Sequence, residues 1–114
     1  MQAINRTRNT ILVSQGSIAD NPLTRLKGLL GHAPLQAGEG LLLRGEKSIH
    51  SIGMGFDIDA LFLDAAGKVV YLMPVMVPLR FSPFVWQSAD VLEVPAGTIA
   101  RTGTVLGDQI EITL

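Results

Sequence analysis

The chain has 114 residues, 47% of them hydrophobic and 17% charged, with a formal net charge of −1. Those proportions describe a folded domain and exclude disorder. The near-neutral balance leaves no broad electrostatic footprint for nucleic acid or an anionic membrane, and the absence of cysteine rules out disulfides, cysteine zinc sites and a thiolate nucleophile.

Near the start, Arg6 and Arg8 make a short arm rather than a basic patch. No signal-peptide core follows Met1, because Ile11–Val13 is too short for one; the expectation is a cytoplasmic protein, unless a native leader has been removed. The run Val69–Leu79 lacks charge but is broken by Pro74 and Pro78, and a membrane span needs ~20 apolar residues. Thr10–Val13 is β-branched and apolar, and predicts a first strand. Asn21-Pro22 then predicts a helix start. Asn caps free N–H groups, and Pro suits the first helical position. Leu23, Leu26, Leu29 and Leu30 recur at helical spacing, and Gly31 supplies a left-handed stop. A helix this short is stable only when packed on a sheet, and no second helix is predicted.

Beyond Gly31 the punctuation is that of β structure. Leu41–Leu43 starts a strand and Ile49–Met54 reads as extended. Ile58–Leu63 and Val69–Met73 form a hairpin across Asp64-Ala65-Ala66-Gly67. Pro74, Pro78 and Pro83 forbid regular pairing for about ten residues. Val91–Val94 is a further strand, ended by Pro95-Ala96-Gly97. Leu106-Gly107-Asp108 turns the chain into the last strand, Gln109–Thr113, with Asp108 accepting from nearby N–H groups. Short strands with one helix, and no βαβ alternation, predict one mainly β domain over residues 1–114. It is a small sandwich or barrel with a short helix packed against it.

Candidate chemistry gathers in one stretch: His50, Ser51, Met54, Asp57 and Asp59. A histidine can shuttle protons, and His50 can do so or can simply satisfy a loop carbonyl. His50 and Ser51 are adjacent, so on extended backbone they point to opposite sides and cannot form a nucleophile–base pair. Asp57 and Asp59 share a face on a strand at about 6.5–7 Å between α-carbons. That spacing fits an acid–base pair or a hard-cation site, or merely a solvated face. Asp59, between Ile58 and Ala60, can also be buried and bonded to backbone amides. The glycines Gly53, Gly55, Gly103 and Gly107 lack the lysine and helix start of a phosphate loop and read as turns and bulges. No metal or cofactor is implied.

Residues 69–86 hold Met73, Met76, Phe81, Phe84 and Trp86, with Arg80 as the only charge. A proline-broken loop cannot be buried throughout, since its backbone needs water. It either folds over the core as a lid, lines a small-molecule pocket, or presents an interaction surface. Arg80 there can hold a carboxylate or phosphate.

The runs Gly38–Leu43, Ile49–Val70 and Val91–Ile112 resemble the bacterial and archaeal family called domain of unknown function 192. The resemblance rests on Ser-Ile-His-Ser-Ile-Gly-Met-Gly-Phe-Asp-Ile-Asp-Ala-Leu-Phe-Leu-Asp (Ser48–Asp64), on Val-Leu-Glu-Val-Pro-Ala-Gly (Val91–Gly97) and on Gly107-Asp108. The predicted helix, with Arg25 and Gly28, is similar to the family's opening helix. Coverage is about residues 20–113. Many members have Trp or Phe and Asn-Thr near the central Met, whereas this chain has Ile49, His50 and Ser51 there. The resemblance implies a β-rich sandwich-type fold with an early helix, and no activity. The expected function is a binding or interaction module, with a face made by Ile49–Asp59 and Pro74–Trp86 and a protein partner or a second copy as its occupant. Its test residues are Trp86 and Arg80. The alternative is a small hydrolase or lyase using His50 with Asp57 or Asp59. Nucleic acid is not an expected partner.

Overall fold

A computed structural model of the protein describes residues 1–21, 28, 29 and 31–114. Among them run eight strands: β1 (Gln2–Asn5), β2 (Thr10–Val13), β3 (Gln15–Ala19), β4 (Glu39–Arg44), β5 (Ile58–Leu63), β6 (Val69–Met76), β7 (Asp90–Pro95) and β8 (Ile110–Thr113). They build a three-stranded sheet, β2-β1-β8, and a five-stranded sheet, β3-β4-β7-β5-β6. All pairs are antiparallel except β3 with β4.

The five-stranded sheet is covered on both sides, which explains why its central strands read as continuous apolar runs rather than alternating ones. Leu42, Leu61, Leu63, Leu92 and Val94 point toward the three-stranded sheet and meet Ala3, Leu12, Val13 and Ile110. Leu41, Leu43, Ala60, Phe62 and Val91 point the other way and meet Leu29, Ile49, Met54 and Val85. Strand β5 is buried at all its positions. The β5–β6 hairpin turns as its sequence predicts. The Asp64 carboxylate accepts from Ala66 N at 3.0 Å and Lys68 N at 2.8 Å. Gly67 adopts φ +85°, and a Cβ there would strike the Ile110 carbonyl.

Several elements depart from expectation. Residues 2–5, read as part of a polar arm, form β1, with Ala3 and Asn5 buried. Arg6 and Arg8 follow it and pair with Glu111 and Asp108. Strand β3 was not predicted, because Gln-Gly-Ser-Ile-Ala has weak β propensity. Ile49–Met54 holds only an isolated bridge, His50 to Phe81. Pro74 lies inside β6, which is tolerated because β6 is an edge strand. An unpredicted helix, α1 (Thr98–Thr102), follows Gly97 and has no side-chain cap. Most of the predicted helix Leu23–Leu30 lies outside the described residues; of its neighbourhood, Leu29 is buried in the core and Gly31 has φ +68°.

Candidate functional site: an apolar rim on a bonded loop frame

Two irregular segments, residues 46–57 and 77–88, cover one face of the five-stranded sheet. Neither forms a strand, so their polar backbone groups need other partners. They find them in each other. Ser51 N donates to Arg80 O at 2.9 Å, Ser82 N to Ile49 O at 2.9 Å and Val85 N to Lys47 O at 2.7 Å. Side chains complete the frame. The Ser51 hydroxyl donates to Val77 O at 2.7 Å and accepts from Arg80 N at 2.8 Å. The Ser82 hydroxyl accepts from Ile49 N at 2.8 Å. The Lys47 ammonium donates to Trp86 O at 2.9 Å and Ser88 O at 2.6 Å.

The frame decides which side chains face outward. Ile49, Ser51, Met54 and Val85 are buried beneath it. Leu79, Phe81, Phe84 and Trp86 stand outside at 69%, 70%, 54% and 76% exposure; Ile52 in the facing segment and Val75 at the end of β6 are also exposed. Phe84 and Trp86 meet edge to face at 4.7 Å, and Phe81 lies 6.3 Å from the His50 ring. Arg80, exposed between Leu79 and Phe81, donates to Leu79 O at 3.3 Å. Leu79 itself sits at φ 64°, a conformation rare outside glycine.

The carboxylates do not join this surface as a pair. Asp57 is exposed and precedes β5. Asp59 is fully buried, and its two oxygens accept from Val75 N and Ile99 N, each at 2.8 Å. Among its sequence-based readings, the arrangement present is the buried one bonded to backbone amides: Asp59 ties β5 to β6 and to the first turn of α1. The Val75 amide it holds belongs to a bulge, where the β5–β6 register shifts between Ile58 and Ala60. Val75 takes φ 51°, unusual for a β-branched residue. The aspartate therefore anchors the strained backbone from which the 77–88 segment departs.

His50 is exposed, and its Nδ1 accepts from Ile52 N at 3.2 Å, leaving Nε2 to carry the proton of the neutral ring. Among the described residues no hydrogen bond or ion pair joins His50 to Asp57, Asp59 or the Ser51 hydroxyl, and no group of three metal-ligating side chains forms. The frame commits the Ser51 hydroxyl to backbone partners, and Met54 is core. Of the site residues expected from sequence, His50, Asp57, Arg80 and Trp86 are exposed. Ser51 and Met54 hold the outer surface from beneath.

One group escaped the sequence reading. Glu93, in the middle of β7, is only 3% exposed. Its Cα partners are Leu41 and Ala60. Burial pushes its carboxyl up to about 8, and the negative charge of Glu46 acts in the same direction. The available signal was its place in Val-Leu-Glu-Val, an apolar run of the kind buried on both faces.

Comparison with known proteins places this geometry in context. No curated protein matches the chain. Two solved structures share its fold. A protein of unknown function from Novosphingobium aromaticivorans DSM 12444 has 20% identity and a TM-score of 0.83, over 97% of this chain and 82% of that one. A protein from Sinorhizobium meliloti 1021, described as a "putative transcription regulator", has 25% identity and a TM-score of 0.81, over 96% and 89%. Among the described residues, no helix is long and apolar enough to cross a membrane. The model of the family DUF192, described as "Uncharacterized ACR", matches residues 3–112, nearly the whole chain, and the protein belongs to that family.

Proposed function

We propose that the protein is a binding module whose contact surface is the rim of Leu79, Phe81, Phe84 and Trp86, with Arg80 among them. One observation carries this reading: large apolar side chains are more than half exposed on a loop whose backbone is tied down by hydrogen bonds to its neighbour. Exposing several large apolar side chains to water is unfavourable, and exposed apolar surface of this kind is characteristic of contact sites. Holding the set rigid lowers the entropy lost on binding. Large aromatics and arginine are also the side chains that dominate contact energies.

The alternative of a hydrolase or lyase has less support. Asp59 is occupied by two backbone amides, and among the described residues His50 has no carboxylate partner. A general base needs hydrogen-bond reach to its proton and an orienting group. The description of the Sinorhizobium relative belongs to that protein. Here Arg6, Arg8 and Arg44 are paired with Glu111, Asp108 and Asp90, which supports no basic stripe for DNA.

The test is photo-crosslinking in cells from p-benzoylphenylalanine placed at Phe84 or, as a control, at Arg101 on the exposed side of α1. The expected result is adducts from position 84 only. Excess wild-type chain should compete them away, whereas a Phe81→Ser/Phe84→Ser chain should not. Equal adduct yields at both positions would sink the reading.

A further inference from the structure

We infer that the occupant of this rim is an anionic lipid surface. The inference rests on the binding-module reading and names its partner.

Three observations favour a bilayer over a second protein. The first is area. Large aromatic side chains bury ~150–250 Å² each, so at 54–76% exposure Phe81, Phe84 and Trp86, with the smaller Leu79, offer on the order of 500 Å². A stable protein–protein pair buries ~800 Å² on each partner. The second is how the side chains stand. At 69–76% exposure, Leu79, Phe81 and Trp86 are barely sheltered by one another, so each needs its own receiving pocket on a folded partner. A fluid interface encloses protruding rings of any arrangement, and amphipathic aromatics settle at headgroup depth.

The third is charge. Between Asp64 and Asp90 the chain carries no carboxylate, and Arg80 is the one charge of the 77–88 segment. The facing segment has its carboxylates, Glu46 and Asp57, at its two ends, and its Lys47 ammonium is held by Trp86 O and Ser88 O. Arg80 is exposed among the apolar side chains, where a guanidinium pairs with phosphate while the neighbouring rings enter the acyl boundary. The net charge of −1 does not oppose this, because attraction to a charged surface is local on the scale of a Debye length.

Trp86 is the only tryptophan and lies in the rim, so its fluorescence reports the contact directly. The purified chain is titrated with vesicles of phosphatidylcholine alone and of phosphatidylcholine mixed with phosphatidylserine. We expect the mixed vesicles to shift Trp86 emission to shorter wavelength and to carry the protein down on sedimentation. Phe81→Ser and Phe84→Ser should each weaken partitioning by roughly tenfold. Arg80→Gln should remove the preference for phosphatidylserine. Circular dichroism establishes that the variants stay folded.

No shift with either vesicle overturns the inference, as does a shift that Phe81→Ser leaves undiminished. A concentration-dependent shift without lipid, with sedimentation as a dimer, overturns it too. That outcome would assign the rim to a second copy and leave the binding-module reading standing.

Discussion

Two loop clusters of this protein solve opposite problems. In the first, the β1–β2 turn meets the turn before β8, and polar side chains are buried. Asn5, Thr102, Thr104 and Asp108 are all under 5% exposed. Asp108 Oδ2 accepts from Arg8 Nε at 2.7 Å, Asn5 Nδ2 at 2.9 Å and Val105 N at 3.1 Å. Asn5 Nδ2 also donates to Thr104 Oγ1 at 3.1 Å, which meets the Thr102 hydroxyl at 2.7 Å. In the second cluster, the rim, apolar side chains are exposed. The first arrangement gives these four buried side chains hydrogen-bond partners and so serves stability. The second leaves apolar area in water that folding alone has no reason to expose. Under the proposed binding role, the rim carries contact and the knot carries structural specification.

The strongest way to break this comparison is Asp108→Ala. Truncation would strand buried donors from Asn5 and Val105, and should destabilise the fold by roughly 3–5 kcal/mol in denaturant melts. A loss below about 1 kcal/mol would mean the knot is incidental. Burial alone would raise the Asp108 pKa, but the bonds from Asn5, Val105 and Arg8 outweigh it and hold the carboxyl below its ordinary value. Its stabilisation is therefore present above the unfolded-state pKa and fades as pH falls through the folded one.

Glu93 sharpens the contrast, because it is a buried carboxyl with the opposite shift. Its folded pKa of about 8 lies above the ordinary 4.5. The folded state holds the proton more tightly, so unfolding between those values releases it and stability falls as pH rises. Between about pH 5 and about pH 8 this group should remove about 3 kcal/mol. Glu93→Gln should flatten that slope in melts followed across pH, and an unchanged slope would show that Glu93 is already ionised in the fold.

The smallest expected effect tests the rim itself. Phe81→Ser and Phe84→Ser should each change stability by less than about 0.5 kcal/mol, since neither ring is core. A loss of about 2 kcal/mol or more from either would make the rim a packing element and erase the distinction between the two clusters.

How much of this was legible in the sequence depended on whether local signals were sufficient. Ile58–Leu63, the Asp64–Gly67 turn and the acceptor role of Asp108 were readable, because apolar runs and Asp-Gly turn chemistry act within a few residues. Strands β1 and β3 were not, since Gln-Ala-Ile-Asn and Gln-Gly-Ser-Ile-Ala become strands only through distant partners. Helix α1 escaped because five residues after a left-handed Gly97 carry neither a capping side chain nor a full apolar face. At the site, the sequence located both segments and the unusual apolar content of residues 69–86. It could not assign inside and outside, because irregular backbone has no fixed period. Val85 points in and Trp86 out through hydrogen bonds to Lys47, about forty positions away.

The last strand also governs how the molecule comes together in time. β8 completes the small sheet by pairing with β1. It also joins that sheet to the large one, where Val69 N donates to Asp108 O and Ile110 N to Gly67 O, both at 2.9 Å. A nascent chain can form the β5–β6 hairpin from neighbouring residues. Its small sheet stays incomplete until residues 107–113 have emerged. Such long-range closure is entropically slow, and until it occurs the inner faces carrying Leu12, Leu61 and Leu92 remain open to one another and to other chains. The interval between synthesis of β1 and arrival of β8 is thus when this protein is most exposed to misassembly.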